Sequence, residues 1–232
     1  MSLLYMVRHG QASFGMPNYD NLSPIGQKQA AILADHLIEK NREFQAVFTG
    51  NMLRHRQTAQ PLVETGGSKG LCPGEYAVLD AFDEYDATTV WGIQIADMVK
   101  EDPGIGKDLE NIMEDRRIFE RLFRQAMLRW VDGNRAPREG PSWNAFAARV
   151  QKGVKEVMVN HGGQGDVVVF SSAGPISATM QFALGLDNVK AMGLAFATLN
   201  ASITVFEFTK DHITLQGYNN VSYLEESLVT DR

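Results

Sequence analysis

The sequence predicts an α/β fold, a three-layer α/β/α sandwich with a mostly parallel central sheet and a C-terminal antiparallel hairpin. Strand-like and helix-like segments alternate along most of the chain, which is typical of a parallel sheet covered by helices. Residues 3–7 and 167–170 are continuously apolar, as strands buried on both faces are. Near the end, residues 202–208 and 213–218 flank a short turn and alternate as an antiparallel hairpin does.

The first strand, at residues 3–7, is followed by a predicted helix at residues 24–40. Ser23 is placed to cap this helix, and Pro24 fits its first turn, where a missing N–H is no loss. One apolar stripe at helical spacing faces the core and consists of Ala30, Leu33, Ala34, Leu37 and Ile38.

Two further strands and a helix are expected before the middle of the chain. Residues 46–49 predict a short strand and residues 52–64 a helix. Residues 65–75 are rich in Gly, Ser and Pro, so we expect a surface loop there. A weaker strand signal follows at residues 78–79.

The middle of the chain is predicted to be helical, because apolar residues recur near helical spacing over residues 109–130. Residues 135–141 interrupt this pattern, and Ser142 is placed to cap a further helix. No repeat or linker divides the sequence. We therefore expect a single domain over residues 1–232, with a helical insertion at about residues 88–141.

Composition limits the class of function. The 232 residues carry a net charge of −6, which disfavours nucleic-acid binding because that needs a basic face. The first residues contain no basic segment before a long apolar run, so we expect neither a secretion signal nor a membrane span. One cysteine and five scattered histidines predict a cytoplasmic protein with no disulfide and no metal site. We also expect no cofactor, because arginines can supply the positive charge that a metal supplies elsewhere. The oligomeric state does not follow from the sequence.

The first chemical signal is Arg8-His9-Gly10, directly after the first strand. Ligands of α/β sheets bind beyond the carboxyl ends of the strands. There, an arginine can hold phosphate oxygens and an imidazole can attack phosphorus. A tripeptide of this kind also occurs by accident, in which case His9 is an ordinary loop histidine.

Three further segments follow in order: Leu22-Ser23-Pro24-Ile25-Gly26-Gln27-Lys28-Gln29-Ala30, then Leu53-Arg54-His55-Arg56-Gln57-Thr58-Ala59 after the second strand, and Asn200-Ala201-Ser202-Ile203. Together with Arg8-His9-Gly10, they resemble the motifs of the histidine phosphatase superfamily, also called phosphoglycerate-mutase-like. The resemblance spans most of the chain and implies the same three-layer fold. It also implies that a small phosphorylated substrate is the partner.

The resemblance implies a role for each matching residue. His9 would be the catalytic nucleophile that forms a phosphohistidine, and Arg8 and Arg54 would bind the phosphoryl oxygens. Arg56 lies two residues further along the helix and so on a different face. His55 is likewise expected to point away from the pocket.

The family also uses a carboxylic acid that protonates the leaving oxygen, and here we expect the catalytic acid to be Glu84. Asp80, Asp83 and Asp86 are alternatives in the same acidic cluster. Such a cluster is also typical of a solvated surface. Catalysis requires a pKa near the working pH, which burial can supply.

Ser172 departs from the family pattern, because it stands where a second histidine is expected after the fourth strand. His161 is no substitute, since it precedes that strand and lies at its opposite end. We expect Ser172 and the amides of Ala173 and Gly174 to bind phosphate at a helix start. Loss of one transition-state donor costs about 10²- to 10³-fold in rate. Gly15 is a second departure, at a position where many members carry an asparagine.

These residues predict a phosphomonoesterase that acts through a phosphohistidine, with slow turnover if Ser172 is a poor substitute. The alternative is a catalytically impaired module that binds a phosphorylated ligand. A phosphoglycerate-type mutase is the least favoured function, because no segment resembles the substrate loops of mutases. The physiological substrate does not follow from the sequence.

Overall fold

A computed structural model describes residues 1–13, 19–112, 114–132 and 142–231. The central sheet contains the strands β1 (Ser2–Arg8), β2 (Phe44–Thr49), β3 (Ala77–Val78), β4 (Asp166–Ser171), β5 (Ile203–Phe208) and β6 (Ile213–Asn220). The helices in the described part are α1 (Pro24–Glu39), α2 (Leu53–Ser68), α3 (Ala87–Glu101), α4 (Gly104–Glu110), α5 (Arg116–Val131), α6 (Trp143–His161), α7 (Ala173–Leu184) and α8 (Asn188–Ala197).

The sheet has the strand order β3-β2-β4-β1-β5-β6. Strands β3, β2, β4 and β1 pair in parallel, whereas β5 is antiparallel to both β1 and β6. Val7 of β1 is opposite Phe170 of β4 on one side and Ile203 of β5 on the other. The predicted α/β class and the C-terminal hairpin are therefore confirmed.

The central strands bury side chains on both faces, which explains their continuous apolar sequences. Tyr5 and Val7 of β1 pack in one hydrophobic cluster with α1 and α2. Leu4 and Met6 point to the opposite face and pack in a larger cluster with helices such as α6 and α7. Successive side chains of a strand point to opposite faces of the sheet, so helices pack on both faces and the fold has three layers.

Helix α1 forms as its sequence predicts. The Ser23 side chain accepts a hydrogen bond from the Gly26 amide at 3.0 Å, and Pro24 occupies the first turn. The predicted apolar stripe is buried against the sheet. The predicted site residues lie outside this helix, and its start supports the loop that follows β1.

Helix α2 is longer than predicted, because it continues through Ser68 into the stretch expected to be a loop. Its two glycines allow close packing. A Cβ on Gly66 would lie 3.1 Å from the sulfur of Cys72, and one on Gly67 would lie 2.8 Å from the Cα of Gly74. The glycines that weaken the helical signal in the sequence are the residues that let the chain pack against this helix.

The predicted helical middle contains α3, α4 and α5. Trp91 of α3 stacks on Phe123 of α5, with ring centroids 6.0 Å apart. Residues 133–141, which include the predicted break, lie outside the described residues, so the insertion and the single-domain organisation stay predictions. Helix α8 was not predicted. None of the helices in the described ranges is long and apolar enough to cross a membrane.

Candidate active site

His9 directly follows β1, and neighbouring strands fix its backbone from both sides. Its amide donates to the carbonyl of Ser171, at the end of β4, at 2.8 Å. Its carbonyl accepts from the amide of Ala201 at 3.1 Å and from the side chain of Asn200 at 3.2 Å. The Asn-Ala-Ser-Ile segment of the sequence therefore holds His9 in place at the carboxyl edge of the sheet.

The side chain of His9 has one favoured tautomer and a lowered pKa. Its Nδ1 lies 2.7 Å from the carbonyl oxygen of Gly10, which can only accept, so Nδ1 carries the proton and Nε2 keeps a free lone pair. Burial lowers the pKa of His9 well below its ordinary value, and the nearby charges of Arg54 and Arg8 lower this pKa further. The imidazole is therefore neutral near pH 7 and able to attack through Nε2.

The loop that carries His9 packs closely on α1. A Cβ on Gly10 would lie 2.5 Å from the carbonyl oxygen of Gly26, and one on Gly26 would lie 2.1 Å from the carbonyl oxygen of Gln11. The buried Gln29 accepts from the Gln11 amide at 2.7 Å and donates to the backbone carbonyl of Leu228 at 2.7 Å. These motif residues build the support beneath the nucleophile.

Arg8 and Arg54 both line the cavity beside His9. Arg8 donates from Nη1 to the carbonyl of Thr198, and Arg54 forms a 2.6 Å ion pair with Asp20. Within the described ranges, the buried Nε atoms of both arginines have no hydrogen-bond partner. Since buried N–H groups are rarely left unpaired, these two donors indicate an anion site next to His9.

Thr58 joins the two motifs at this site. Its hydroxyl accepts from the Gly10 amide at 3.0 Å and donates to the carbonyl of Arg54 at 2.7 Å. The first turn of α2 is therefore tied to the loop after β1. The arginine and the nucleophile keep a fixed separation as a result.

Glu84 lies on the other side of the anion site, where two amides hold its carboxylate. The Tyr85 amide donates to Oε1 and the Gly174 amide to Oε2, each at 3.1 Å. A Cβ on Gly174 would lie 1.9 Å from Oε1, so the carboxylate fits only because this residue is glycine. Burial raises the pKa of Glu84, although the two amides and then Arg54 and Arg8 oppose this effect. A raised pKa suits a general acid.

Two of the rival carboxylates accept other hydrogen bonds, although Asp86 also lines the cavity. Asp83 accepts from the side chain of Asn51 at 2.9 Å, beside the start of α2. Asp86 caps α3 by accepting from the amide and hydroxyl of Thr89. Asp80 is exposed in a short 3₁₀ helix. Only Glu84 is bound at the start of α7 with its pKa raised, so the geometry favours it as the acid.

The three predicted phosphate ligands at the start of α7 differ in the hydrogen bonds that they make. Ala173 and Gly174 line the cavity, but the Gly174 amide donates to Glu84. Ser172 is the N-cap residue of α7, yet its hydroxyl makes no capping hydrogen bond. Their roles in phosphate binding stay predictions.

His55 does not line the cavity, as expected, yet it is buried beside the end of β4 and does not lie on an outer face. Its side chain is fully buried, and its Nε2 lies 2.7 Å from the hydroxyl oxygen of Ser172. Its ring centroid is 5.8 Å from that of His9. Burial lowers the pKa of His55 well below its usual value, with the charges of Arg54 and Arg56 adding to the effect. A neutral second imidazole therefore stands beside the nucleophile.

His161 is remote from this site, as expected. It ends α6 before β4, and its ring contacts Phe48 at 5.7 Å between centroids. Arg56 donates to Asn51 at 3.5 Å and does not line the cavity. The position of Gly15 lies outside the described residues. In the described part of the chain, no three His, Cys, Asp or Glu side chains are grouped so that they could hold a metal.

The anion site opens into a cavity of about 1150 Å³. Helices α3, α5 and α8 supply an aromatic wall, formed by Trp91, Phe119, Phe123 and Phe196. Arg117, Arg121 and Arg124 of α5 also line this space, which extends well beyond the size of one phosphate group. The cavity can therefore receive the organic part of a phosphorylated compound.

The sequence model of the histidine phosphatase superfamily (branch 1) matches residues 4–120 and 108–221. The chain belongs to this superfamily. Its membership supports phosphatase activity, as the sequence motifs predict. A search of curated proteins finds no match.

Solved structures of other histidine phosphatases share the fold. A phosphoserine phosphatase from Entamoeba histolytica, crystallised with phosphoserine, is 18% identical with a TM-score of 0.65, and the alignment covers 97% of this chain and 100% of that one. A mycobacterial glucosyl-3-phosphoglycerate phosphatase, crystallised with inorganic phosphate, is 22% identical with a TM-score of 0.62, over 97% and 100% of the two chains. At such identities, the comparison establishes the common fold.

The two neighbouring arginines of α2 give a direct test of the anion site. We expect Arg54→Ala to weaken the binding of inorganic phosphate roughly 10- to 100-fold, because a charge-assisted hydrogen bond contributes about 1.5–3 kcal/mol. Arg56→Ala is the matched control, and we expect it to bind phosphate as the wild type does. Isothermal titration calorimetry measures both. Equal losses in the two variants would contradict the assignment.

Proposed function

We propose that this protein is a phosphomonoesterase that transfers the phosphoryl group of a small organic phosphate first to Nε2 of His9 and then to water. The observation that carries the proposal is the neutral imidazole of His9, whose free nitrogen shares a cavity with two arginines and a carboxyl of raised pKa. These are the groups that phosphoryl transfer through a covalent intermediate requires.

In the first half-reaction, Arg8 and Arg54 bind the phosphate oxygens and stabilise the charge that develops on them. Nε2 of His9 attacks phosphorus, and the bond between phosphorus and the ester oxygen breaks. The carboxylic acid of Glu84 gives its proton to the departing oxygen, so the leaving group departs as a neutral alcohol. The products are phosphohistidine and a Glu84 carboxylate.

In the second half-reaction, Glu84 acts as a general base. Its carboxylate takes a proton from a water molecule, whose oxygen attacks the phosphorus bound to His9. The P–N bond breaks, inorganic phosphate leaves, and His9 and Glu84 return to their starting protonation states. The arginines supply the positive charge that metal ions supply in other phosphatases.

A second candidate function is a module that binds a phosphorylated ligand but turns over little. Ser172 favours it, because a neutral hydroxyl is a weaker donor than a charged imidazole. The two functions differ in one observable: an impaired module takes up at most one phosphoryl group per chain and does not release it.

Trapping the covalent intermediate tests the proposed reaction. After brief incubation with ³²P-labelled p-nitrophenyl phosphate and rapid quenching, we expect label on the wild-type protein that is labile in acid and stable in base. His9→Ala should carry none, because no other free imidazole nitrogen lines the described part of the cavity.

The time course of phosphate release completes this experiment. Continued release of inorganic phosphate supports the phosphomonoesterase, and stoichiometric labelling without release supports the impaired module. Label of equal amount in wild type and His9→Ala would rule out His9 as the nucleophile. Phosphate binding by His9→Ala shows that the variant is folded.

The role of Glu84 predicts a dependence on the leaving group and on pH. We expect Glu84→Gln to lower kcat/KM about 10²- to 10⁴-fold for alkyl phosphates, whose leaving oxygen needs a proton. For p-nitrophenyl phosphate the loss should be much smaller, since nitrophenolate leaves unprotonated. Asp83→Asn is the matched control and should keep both rates, because Asp83 faces Asn51.

The pH profile gives an independent check of the same assignment. Activity on alkyl phosphates should fall as pH rises through the pKa of Glu84, which must be protonated to act as an acid. The lowered pKa of His9 keeps the nucleophile neutral, so the acid-side loss should come well below pH 6.5. An alkaline decline that persists in Glu84→Gln would show that another group causes it.

The cavity favours a substrate that combines an organic body with a second anionic group. Arg124 places its guanidinium 4.9 Å from the Phe196 ring and has no ion pair within the described residues. By contrast, Arg117 pairs with Asp115 at 3.0 Å and Arg121 with Asp108 at 2.6 Å. Arg124 is therefore the cation on α5 that is available for a carboxylate or second phosphate of the substrate.

A pair of substrates separates this contact from phosphate binding. We expect Arg124→Ala to lower kcat/KM about fivefold for phosphoserine or 3-phosphoglycerate, because one exposed charge contact contributes on the order of 1 kcal/mol. Phenyl phosphate should be unaffected. Arg117→Ala is the control on the same helix. Equal effects on all substrates would exclude a second anion contact at Arg124.

A further inference from the structure

His55 and Ser172 form a buried pair beside the nucleophile. They are 117 residues apart in sequence, yet His55 Nε2 and Ser172 Oγ are 2.7 Å apart. Ser172 occupies the position where the family pattern has its second histidine. An imidazole is thus present next to this position, but it comes from the first turn of α2 instead of from the start of α7.

The surroundings of His55 favour one direction for the hydrogen bond of this pair. Nδ1 of His55 is buried and has no partner among the described residues. A buried lone pair without a donor is more common than a buried N–H without an acceptor, so the proton resides on Nε2. Nε2–H then donates to Ser172 Oγ. The serine hydroxyl, which does not cap α7, keeps its own proton for another acceptor.

The pair is placed at the reacting group. The ring of His55 lies 5.8 Å from that of His9, and the amide of His9 donates to Ser171, the residue before Ser172. Ala173, the residue after Ser172, lines the cavity. Ser172 lies between these two residues and is itself buried, so the pair adjoins the cavity in which His9 would receive a phosphoryl group.

We propose that His55 is a positioning residue that orients and polarises the Ser172 hydroxyl, so that Ser172 donates the transition-state hydrogen bond that a second histidine would supply. The proposal rests on the phosphohistidine reaction described above. Chains of hydrogen bonds strengthen one another in a buried site, so a hydroxyl that accepts from His55 is a better donor than an isolated serine. No covalent bond of Ser172 breaks, and its proton stays on oxygen.

The test compares kcat and KM in His55→Ala, Ser172→Ala and the double variant. We expect kcat to fall about 10²-fold in Ser172→Ala, which loses the donor, and about tenfold in His55→Ala, which keeps an unoriented donor. The double variant should match Ser172→Ala instead of showing the product of about 10³-fold, because the two residues act as a unit. KM should change little. Arg56→Ala, the neighbouring variant, is the control.

Moving the histidine from position 55 to position 172 tests whether the lost activity can be restored. His55→Ala/Ser172→His moves the imidazole to α7 and frees the space that it needs, whereas Ser172→His alone would collide with His55. We expect the exchange variant to exceed the double alanine variant in kcat by tenfold or more. A folded exchange variant that binds phosphate yet shows no gain would overturn the proposal.

His55→Leu separates positioning from packing, because leucine fills the buried space without donating. We expect its kcat to fall as in His55→Ala, and His55→Gln, which keeps an N–H donor, to recover most of the loss. Wild-type kcat in His55→Leu, with only a lower Tm, would overturn the proposal. Absence of phosphohistidine in the wild type would instead remove the proposed function, whereas its formation at the same rate in every variant would remove this inference alone.

Discussion

The buried positive charge at the carboxyl edge of the sheet is the constraint on which the site depends. Arg8 and Arg54 are held beside His9, and desolvation of two like charges is unfavourable unless anions balance them. Burial keeps the imidazole neutral, and the two guanidinium groups add to this effect. The same two groups lower the pKa of the Glu84 carboxyl, which burial raises. An incoming phosphate dianion supplies the balancing charge. In the proposed reaction, this one electrostatic arrangement would prepare both His9 as the nucleophile and the binding of its substrate.

The sequence predicts those parts of the site that depend on local pattern. The strand before His9, the capped helix after Ser23 and the arginine at the start of α2 all follow from short segments whose order matches the family. Glu84 could be chosen only from a cluster of four carboxyls. What distinguishes it is contact with the amides of Tyr85 and Gly174, and the second of these is 90 residues away in sequence.

The errors have a common physical cause, which is tertiary packing that overrides a local rule. A helix with one inner side predicts an outward face for His55, because Arg54 occupies the inner side. Arg54 lines the cavity, whereas the adjacent His55 is buried against Ser172 at the end of β4. In the same way, Gly66 and Gly67 suggest a loop, yet the close approach of Cys72 and Gly74 makes them suitable for a buried helical turn.

The pair of His55 and Ser172 shows why a missing motif residue is weak evidence for lost activity. A catalytic hydrogen bond is defined by where a donor lies relative to the phosphoryl group, and any element that reaches that point can supply it. Here the first turn of α2 and the start of α7 meet at the same edge of the sheet. In the proposed reaction, the imidazole of His55 on α2 would act through the hydroxyl of Ser172, where the family pattern has an imidazole at the start of α7. The geometry of the strand ends, more than the residue at one position, decides whether the chemistry is retained.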